Sequence, residues 1–108
     1  MIPLMIDFSD RTVVIFGGGN VGARKAAYFC REARVLVVSR SFSAAVKSLP
    51  VELVARDLGT IGERELEDLL SPAFIAAAAT PDHAINVRIG RCCRRLWLPR
   101  PLRAASVM

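Results

Sequence analysis

Three glycines, Gly17, Gly19 and Gly22, point most clearly to chemistry in this sequence, because they form G-x-G-x-x-G within GGGNVG. A strand-like run, Thr12–Phe16, precedes them and a helical pattern follows at 21–31. The first glycine would allow a tight turn, the second a close approach to a diphosphate, and the third close packing of helix on strand. The N–H groups and dipole of the helix start favour an anion. The spacing predicts a dinucleotide site, with a plain tight glycine turn as the alternative.

The end of the second predicted strand, 33–39, bears on which dinucleotide would bind. It reads Ser39, Arg40 and Ser41. An acid here would bond the ribose 2′-OH of NAD, whereas an arginine pairs with the 2′-phosphate of NADP. Taken alone, Arg40 favours NADP, and a solvated loop arginine is an equally good interpretation.

The rest of the chain supplies a scaffold, since apolar runs that alternate with helical patterns indicate βαβ units and a parallel sheet. The strand at 33–39 is apolar throughout, which is typical of a strand covered on both faces. Further strands are predicted at 51–55 and 73–80, with helices starting at 42, spanning 62–70 and starting at 81. In the first helix, the residues expected to face the sheet are Val21, Ala23, Ala26, Ala27 and Cys30. The predicted fold class is α/β, a Rossmann-like, NAD(P)-binding open parallel sheet of four or five strands with helices on both faces.

The length of 108 residues suits a single core. We assign residues 1–96 to the dinucleotide-binding Rossmann domain and 97–108 to an atypical C-terminal tail. Although 53% of the residues are hydrophobic, no apolar run approaches the about 18 residues that read as a membrane span. The N-terminus lacks the basic flank and cleavage site of a signal peptide, so we expect a cytoplasmic protein with no membrane partner.

Charge is placed unevenly along the chain. The formal net charge is +5, and after Asp82 there are six arginines and no acidic residue. Such an end attracts nucleic acid, an anionic membrane surface or a polycarboxylate, or is simply a solvated helix face. No nucleic-acid recognition motif accompanies it, so nucleic acid is not an expected partner.

The three cysteines, Cys30, Cys92 and Cys93, are odd in number, and two of them are adjacent. Neither a disulfide framework nor a C-x-x-C metal site has that spacing. We expect reduced thiols without a catalytic role, and we predict no metal ligand.

Two segments carry a resemblance to a known family. The first, IPLMIDFSDRTVVIFGGGNVGARKAAYF, has a short apolar lead, a strand and the pattern G-G-G-x-V-[AG]-x-R-K before a helix. The second, AFIAAAATPDHAINVRIGRCCRR, has a strand ending in Ala-Ala-Thr, a short acidic turn and an asparagine on the next helix. Over residues 2–95 the chain resembles siroheme synthase N-terminal domains, the precorrin-2 dehydrogenase (sirohydrochlorin ferrochelatase) family. Arg24 and Lys25 discriminate it from ordinary Rossmann dehydrogenases.

The resemblance implies a cytoplasmic homodimer that uses NAD to oxidise precorrin-2, an anionic tetrapyrrole, to sirohydrochlorin in siroheme biosynthesis. Some family members also insert iron or cobalt. By position, Gly19, Asn20 and Val21 would lie on the cofactor, residues 39–42 at its adenosine end and Thr80 near its nicotinamide half. The family default of NAD outweighs the argument from Arg40, and NADP stays open. The predicted cofactor-binding residues are Gly17, Gly19, Asn20, Val21, Gly22, Ser39, Arg40, Ser41, Phe42 and Thr80.

The C-terminal end departs from the family pattern. Family members continue into a fifth strand that closes with an aspartate, the proposed general base and metal-handling residue. This chain instead ends RRLWLPRPLRAASVM, which contains no acid, and Pro99 and Pro101 argue against a regular central strand. We therefore expect the fifth strand to be missing and the exposed sheet edge to be covered by a second subunit.

Catalytic residues stay unassigned for the same reason. Asp82 and His83 are the ionisable residues nearest the expected cleft, but a histidine after a strand is more simply a solvated helix-start residue. The sequence leaves two functions open. One is NAD-dependent oxidation of precorrin-2, with or without metal chelation, and the other is a non-catalytic module that binds or senses NAD(H).

Overall fold

The strand that leads into the glycine loop stands in the middle of one parallel sheet. The computed structural model describes residues 10–97 and 104–107. In chain order the elements are β1 (Thr12–Phe16), α1 (Asn20–Phe29), β2 (Arg34–Ser39), α2 (Ala44–Lys47), β3 (Glu52–Ala55), α3 (Glu63–Leu70), β4 (Ala73–Ala78), α4 (His83–Trp97) and β5 (Ala104–Val107). The strand order is β3-β2-β1-β4-β5, and each pairing is parallel. The strand order therefore reverses between β1 and β4, where open α/β sheets bind ligands.

The sheet is covered by helices on both faces, which explains the continuous apolar character of β1. Alternate side chains of a strand point to opposite faces. Val14 packs in one core with Leu66 of α3. Val13 packs in the other core with Ala26 of α1 and Val46 of α2. The predicted Rossmann-like sheet with helices on both faces is confirmed.

The helix α1 buries a narrower face than its sequence suggests. Gly22, Ala23 and Ala26 are buried against the sheet, whereas Val21 is 36% exposed and Ala27 is exposed as well. With 3.6 residues per turn, Val21 lies on the side of the helix opposite the buried residues. The expectation that Val21 and Ala27 face the sheet is therefore wrong.

A fifth strand is present, contrary to expectation. β5 pairs in parallel with β4, with Ala76 opposite Ala105. A proline disturbs a strand only where its missing N–H is needed in the ladder, and Pro99 and Pro101 precede β5, outside the described residues. The predictions of a missing fifth strand and of an exposed edge beside β4 are both wrong. The division of the chain at residue 96 stays a prediction.

Ion pairs join α3 to α4 at the surface. Glu63 accepts from Arg88 and Arg95 at N–O distances of 3.2 and 2.7 Å, and Glu67 accepts from Arg95 at 2.7 Å. The hydrogen bond from Arg95, followed by that from Arg88, lowers the pKa of Glu63 below its ordinary value of 4.5. These side chains are partly exposed, so the pairs orient the two helices more than they stabilise the fold.

Among the residues the structure describes, no helix combines the length and apolar character needed to cross a membrane. The same residues contain no group of three or more side chains arranged to hold a metal ion.

Candidate nucleotide-binding site

A cleft of about 620 Å³ opens at the carboxyl ends of β1, β2 and β4. Of the predicted cofactor-binding residues, those that line it are Gly17, Gly19, Asn20, Val21, Ser39, Arg40, Ser41, Phe42 and Thr80. Gly22 does not line the cleft and supports the loop from behind. Four residues that sequence reasoning missed also line it, namely Gly18, Ser43, Ala79 and Pro81. The fold thus brings three separated segments of the sequence to one place.

Close backbone approaches build the glycine loop, and those at Gly17 and Gly22 fix how it packs against β4 and α1. Gly17 has a φ of +126°, and a Cβ on it would lie 2.5 Å from the carbonyl oxygen of Ala79. A Cβ on Gly22 would lie 1.9 Å from the carbonyl oxygen of Gly17. Only glycine fits at these two positions, because the atoms it meets belong to the backbone. The first turn of α1 therefore packs on the loop, and the loop packs on the end of β4.

Gly19, in contrast, faces open space. A Cβ built on it would have no neighbour within 4 Å. Gly19 directly precedes α1, whose start has no side-chain cap and no acid in its first turn within the described part of the chain. Uncapped N–H groups and the positive end of the helix dipole attract anions. The space beside Gly19 therefore fits a diphosphate.

The loop after β2 forms the second wall of the cleft. The Ser43 N–H donates to the Gly18 carbonyl oxygen at 2.8 Å, which ties this wall to the glycine loop. The Ser43 hydroxyl oxygen also caps α2 by accepting from the Val46 N–H at 3.3 Å. Serine before a short helical pattern is an ordinary capping signal, so the sequence offered a way to find Ser43.

Arg40 lies on this second wall, where its positive charge could pair with a bound anion. It is exposed and forms no ion pair or hydrogen bond with the described residues. No carboxylate is present among the described residues that line the cleft. The wall can therefore meet a phosphate, and it offers no acid to bond a ribose hydroxyl.

The third wall ends at Thr80, which is held by Asn86 of α4. The Asn86 Oδ1 accepts from the Thr80 N–H at 3.1 Å and from the Thr80 hydroxyl at 2.7 Å, and its Nδ2 donates to the Thr80 carbonyl oxygen at 2.9 Å. Asn86 is only 2% exposed. The polar groups of Thr80 thus point into the protein, and Thr80 shapes the cleft wall. Asn86 was visible in the sequence only as part of the family resemblance, and residue type alone does not link it to Thr80.

Asp82 precedes α4 and His83 is the first residue of that helix, and neither residue lines the cleft. The Asp82 carboxylate accepts from the Ala84 N–H at 2.9 Å and from the Ile85 N–H at 3.3 Å, so it caps the helix. His83 is exposed and does not line the cleft. Among the described lining residues, Arg40 is the only one with an ionisable side chain. The cleft can hold an anion, but these residues supply no general acid or base.

A parallel sheet with a glycine loop at its switch point defines a nucleotide-binding protein of the Rossmann type. The chain belongs to the family described as "Putative NAD(P)-binding", whose model matches residues 4–100. It is therefore an NAD(P)-binding chain.

Two relatives indicate which proteins of this kind the chain is similar to. The chain is 44% identical over 97 residues to precorrin-2 dehydrogenase of Methanosarcina barkeri, a match that covers 86% of this chain and 43% of that protein. It is 36% identical over 100 residues to siroheme synthase of Nitrosospira multiformis, which covers 91% of this chain and 21% of the relative. The chain thus spans less than half the length of these two relatives.

Solved structures give the same picture of the fold. The structure of "SirC, precorrin-2 dehydrogenase" superimposes with a TM-score of 0.67 at 26% identity, covering 83% of this chain and 44% of that one. D-lactate dehydrogenase from Escherichia coli superimposes with a TM-score of 0.52 at 21% identity, covering 76% of this chain and 26% of that one. The second likeness concerns the fold alone.

Proposed function

We propose that this chain is the NAD-binding part of a precorrin-2 dehydrogenase, which oxidises precorrin-2 to sirohydrochlorin in siroheme biosynthesis. The observation that carries the proposal is the 44% identity to a precorrin-2 dehydrogenase over 97 residues, a stretch long enough to include the whole cleft. Bound NAD would supply the hydride acceptor.

We assign a different part of the cofactor to each of the three walls of the cleft. We assign the diphosphate to the loop at Gly17, Gly19 and Asn20, where the uncapped start of α1 attracts an anion. We assign the adenosine end to residues 39–42, and the nicotinamide half to Val21 and Thr80 at the end nearer β4. Gly22 acts indirectly, since it lets α1 pack on the loop.

A non-catalytic NAD(H)-binding or sensing module is the second candidate function. One observation favours it: the described lining residues include no acid or base. Loss of a proton from a macrocycle needs a positioned base, so the enzyme hypothesis requires a residue from outside the described cleft. NADH formation from NAD and precorrin-2 separates the two functions. Turnover by this chain supports the enzyme, whereas NAD binding without turnover supports the module.

Calorimetric titration with NAD and NADP is the first experiment for the cofactor itself. We expect NAD to bind more tightly than NADP, and Arg40→Gln to weaken NADP binding about threefold while NAD binding stays unchanged, because only NADP brings a phosphate to that wall. Tighter binding of NADP to the unaltered chain would reverse the cofactor assignment. Binding of neither would mean that the glycine motif is only a packing turn.

We also propose that the protein is a cytoplasmic homodimer. The argument from an open edge beside β4 no longer applies, since β5 pairs there. Support now comes from the other edge: β3 has a neighbour on one side only within the described sheet, and Leu53 on it is 43% exposed. Unpaired strand edges invite association. A monomer by light scattering at micromolar concentration would contradict the dimer.

A further inference from the structure

Gly18 occupies a position at which the pattern G-x-G-x-x-G accepts any residue. The pattern gives a physical task to Gly17, Gly19 and Gly22, and none to the residue between the first two. Gly18 is nevertheless buried. A Cβ built on it would lie 2.2 Å from the carbonyl oxygen of Ser41 and 3.1 Å from the Cα of Phe42. Both are backbone atoms, so a side chain at this position would displace the backbone of another segment.

The segment that Gly18 meets is the second wall of the cleft. This wall begins at Ser39, the last residue of β2, and ends at Ser43, which caps α2. Both ends are held by the fold, since β2 is paired in the sheet and Val46 of α2 is fully buried. Between these ends, Arg40 and Ser41 are exposed. The middle of the wall therefore lies outside the core and packs on the glycine loop.

Gly18 contacts this wall from two of its own atoms. Its carbonyl oxygen accepts from the Ser43 N–H at 2.8 Å, and its Cα faces the Ser41 carbonyl oxygen in the direction that a side chain would take. Two contacts made by one residue fix both the distance and the relative orientation of the two loops. Gly19, the next residue, faces the open space that fits a diphosphate. The distance from that space to the second wall is therefore fixed at Gly18.

We propose that Gly18 is a positioning residue for the adenosine half of the cofactor. Because it has no side chain, the Ser41 backbone can pack against it, and this contact places the wall that carries Arg40 at its distance from the glycine loop. Adenosine and diphosphate are joined covalently, so both can bind at once only when their two subsites lie at the matching distance. The assignment of adenosine to residues 39–42 rests on the function proposed above, whereas the contact of Gly18 with the wall does not.

Gly18→Ala is the direct test. A carbon and a carbonyl oxygen in contact lie about 3.3 Å or more apart, so the new methyl group would push the wall away by about 1 Å. We expect this shift to weaken the binding of ADP, which contains adenosine and diphosphate, about tenfold. Inorganic pyrophosphate, which contains no adenosine, should bind Gly18→Ala within about twofold of its affinity for the unaltered chain. Titrations followed by NMR measure both affinities, including weak ones.

A pair of variants at Ser43 tests the same contact from the other side. Ser43 has a φ of −69°, which proline can adopt. Ser43→Pro removes the N–H that donates to Gly18 and puts a ring carbon in its place, whereas Ser43→Ala keeps the N–H and removes only the capping hydroxyl. We expect Ser43→Pro to lose clearly more ADP affinity than Ser43→Ala. The difference between the two variants belongs to the contact with Gly18.

Gly62→Ala is the matched glycine control. A Cβ on Gly62 meets no atom within 4 Å, and Gly62 does not line the cleft. This variant should bind ADP like the unaltered chain, and urea denaturation shows for each variant that the titrated chain is folded. Full ADP affinity of Gly18→Ala, or equal loss of ADP and pyrophosphate, would overturn the positioning role. If Gly18→Ala does not fold, equal ADP affinities of Ser43→Pro and Ser43→Ala would overturn it.

ADP binding needs no precorrin-2, which keeps this test apart from the proposed function. Selective loss of ADP binding in Gly18→Ala would support the positioning role even in a chain that forms no NADH from precorrin-2. Turnover of precorrin-2 by a chain whose ADP affinity does not depend on Gly18 would support the enzyme and reject the positioning role. No ADP binding by the unaltered chain would overturn that role together with the assignment of adenosine to residues 39–42.

Discussion

Asn86 meets the N–H, the hydroxyl and the carbonyl oxygen of Thr80 with one side-chain amide, at distances of 2.7 to 3.1 Å. The contact joins the end of β4 to α4 across six residues of chain. Because Asn86 is buried, loss of the amide would leave polar groups of Thr80 without these partners, which is costly. The position of the third cleft wall therefore depends on one side chain that does not itself line the cleft.

Asn86→Ala should lower the free energy of unfolding by about 2 to 4 kcal/mol, since three hydrogen bonds of about 1 kcal/mol each are lost in a buried place. Urea denaturation of the purified chain measures this. Thr80→Ser keeps every polar group of the contact and should cost no more than about 1 kcal/mol. Equal stability of Asn86→Ala and the unaltered chain would show that the contact does not hold the wall.

Two glycine substitutions should separate folding from binding. Gly22→Ala places a Cβ against the Gly17 carbonyl oxygen, and overpacking of this kind costs about 1 to 3 kcal/mol or more. Gly19→Ala meets no protein atom within 4 Å, so it should cost less than about 1 kcal/mol as a helix-cap change. We expect Gly19→Ala to weaken NAD binding in calorimetry, because its methyl group enters the space assigned to the diphosphate. A Gly19→Ala chain with full NAD affinity would place the diphosphate elsewhere.

Glu63 should make stability depend on pH. Its pKa in the folded chain lies below its ordinary value because Arg95 and Arg88 donate hydrogen bonds to it. Its stabilising contribution is therefore complete above the ordinary value and is lost as the pH falls through the lowered pKa. In thermal melts between about pH 3 and pH 7, the melting temperature of Glu63→Gln should fall less on acidification than that of the unaltered chain. The difference should be small because the carboxylate is exposed.

Asp68, on the same helix, gives the control for that experiment. It is exposed and makes no contact with a partner in the described part of the chain. Asp68→Asn should leave the acid profile unchanged. Identical profiles for Glu63→Gln and Asp68→Asn would mean that the pairs between α3 and α4 do not contribute.

The cysteines should differ sharply in reactivity. Burial raises the pKa of Cys93 to about 12 and also raises the pKa of Cys92, whereas Cys30 is only half-buried. Because the thiolate is the reactive form, a maleimide at mildly alkaline pH should label Cys30 at least about 100-fold faster than the other two. Unfolded protein should react at all three sites. Fast labelling of the folded Cys30→Ser variant would contradict this order.

The core of the fold was predictable because its signals are local. β1 has the predicted bounds, Thr12–Phe16, since a run of β-branched residues before glycines has one simple interpretation. β5 was not predictable, because the short run Ala104–Val107 becomes a strand through pairing with β4. Its own sequence carries little strand preference apart from its last residue.

The cleft likewise has some features that the sequence could predict and others that it could not. The glycine positions follow from backbone sterics that any sequence with this spacing shares. The exposure of Val21 depends on how α1 is rotated over the sheet, and the contact of Ser43 with Gly18 depends on how α2 returns to the loop. The rotation of α1 and the position of α2 depend on contacts between residues that are distant in sequence. Neither can therefore be predicted from the sequence alone.

Because the glycine loop packs on Ala79 at the end of β4, the cleft is incomplete until β4 is in place. A chain that has left the ribosome only as far as residue 70 carries the entire glycine motif, but β4, which forms the third wall, has yet to emerge. Parallel pairing between strands so distant in sequence is slow. The nucleotide can thus bind only after β4 has inserted beside β1, and from then on it favours the completed sheet by mass action. In the nascent protein, cofactor binding would therefore stabilise the sheet only after β4 has been added beside β1.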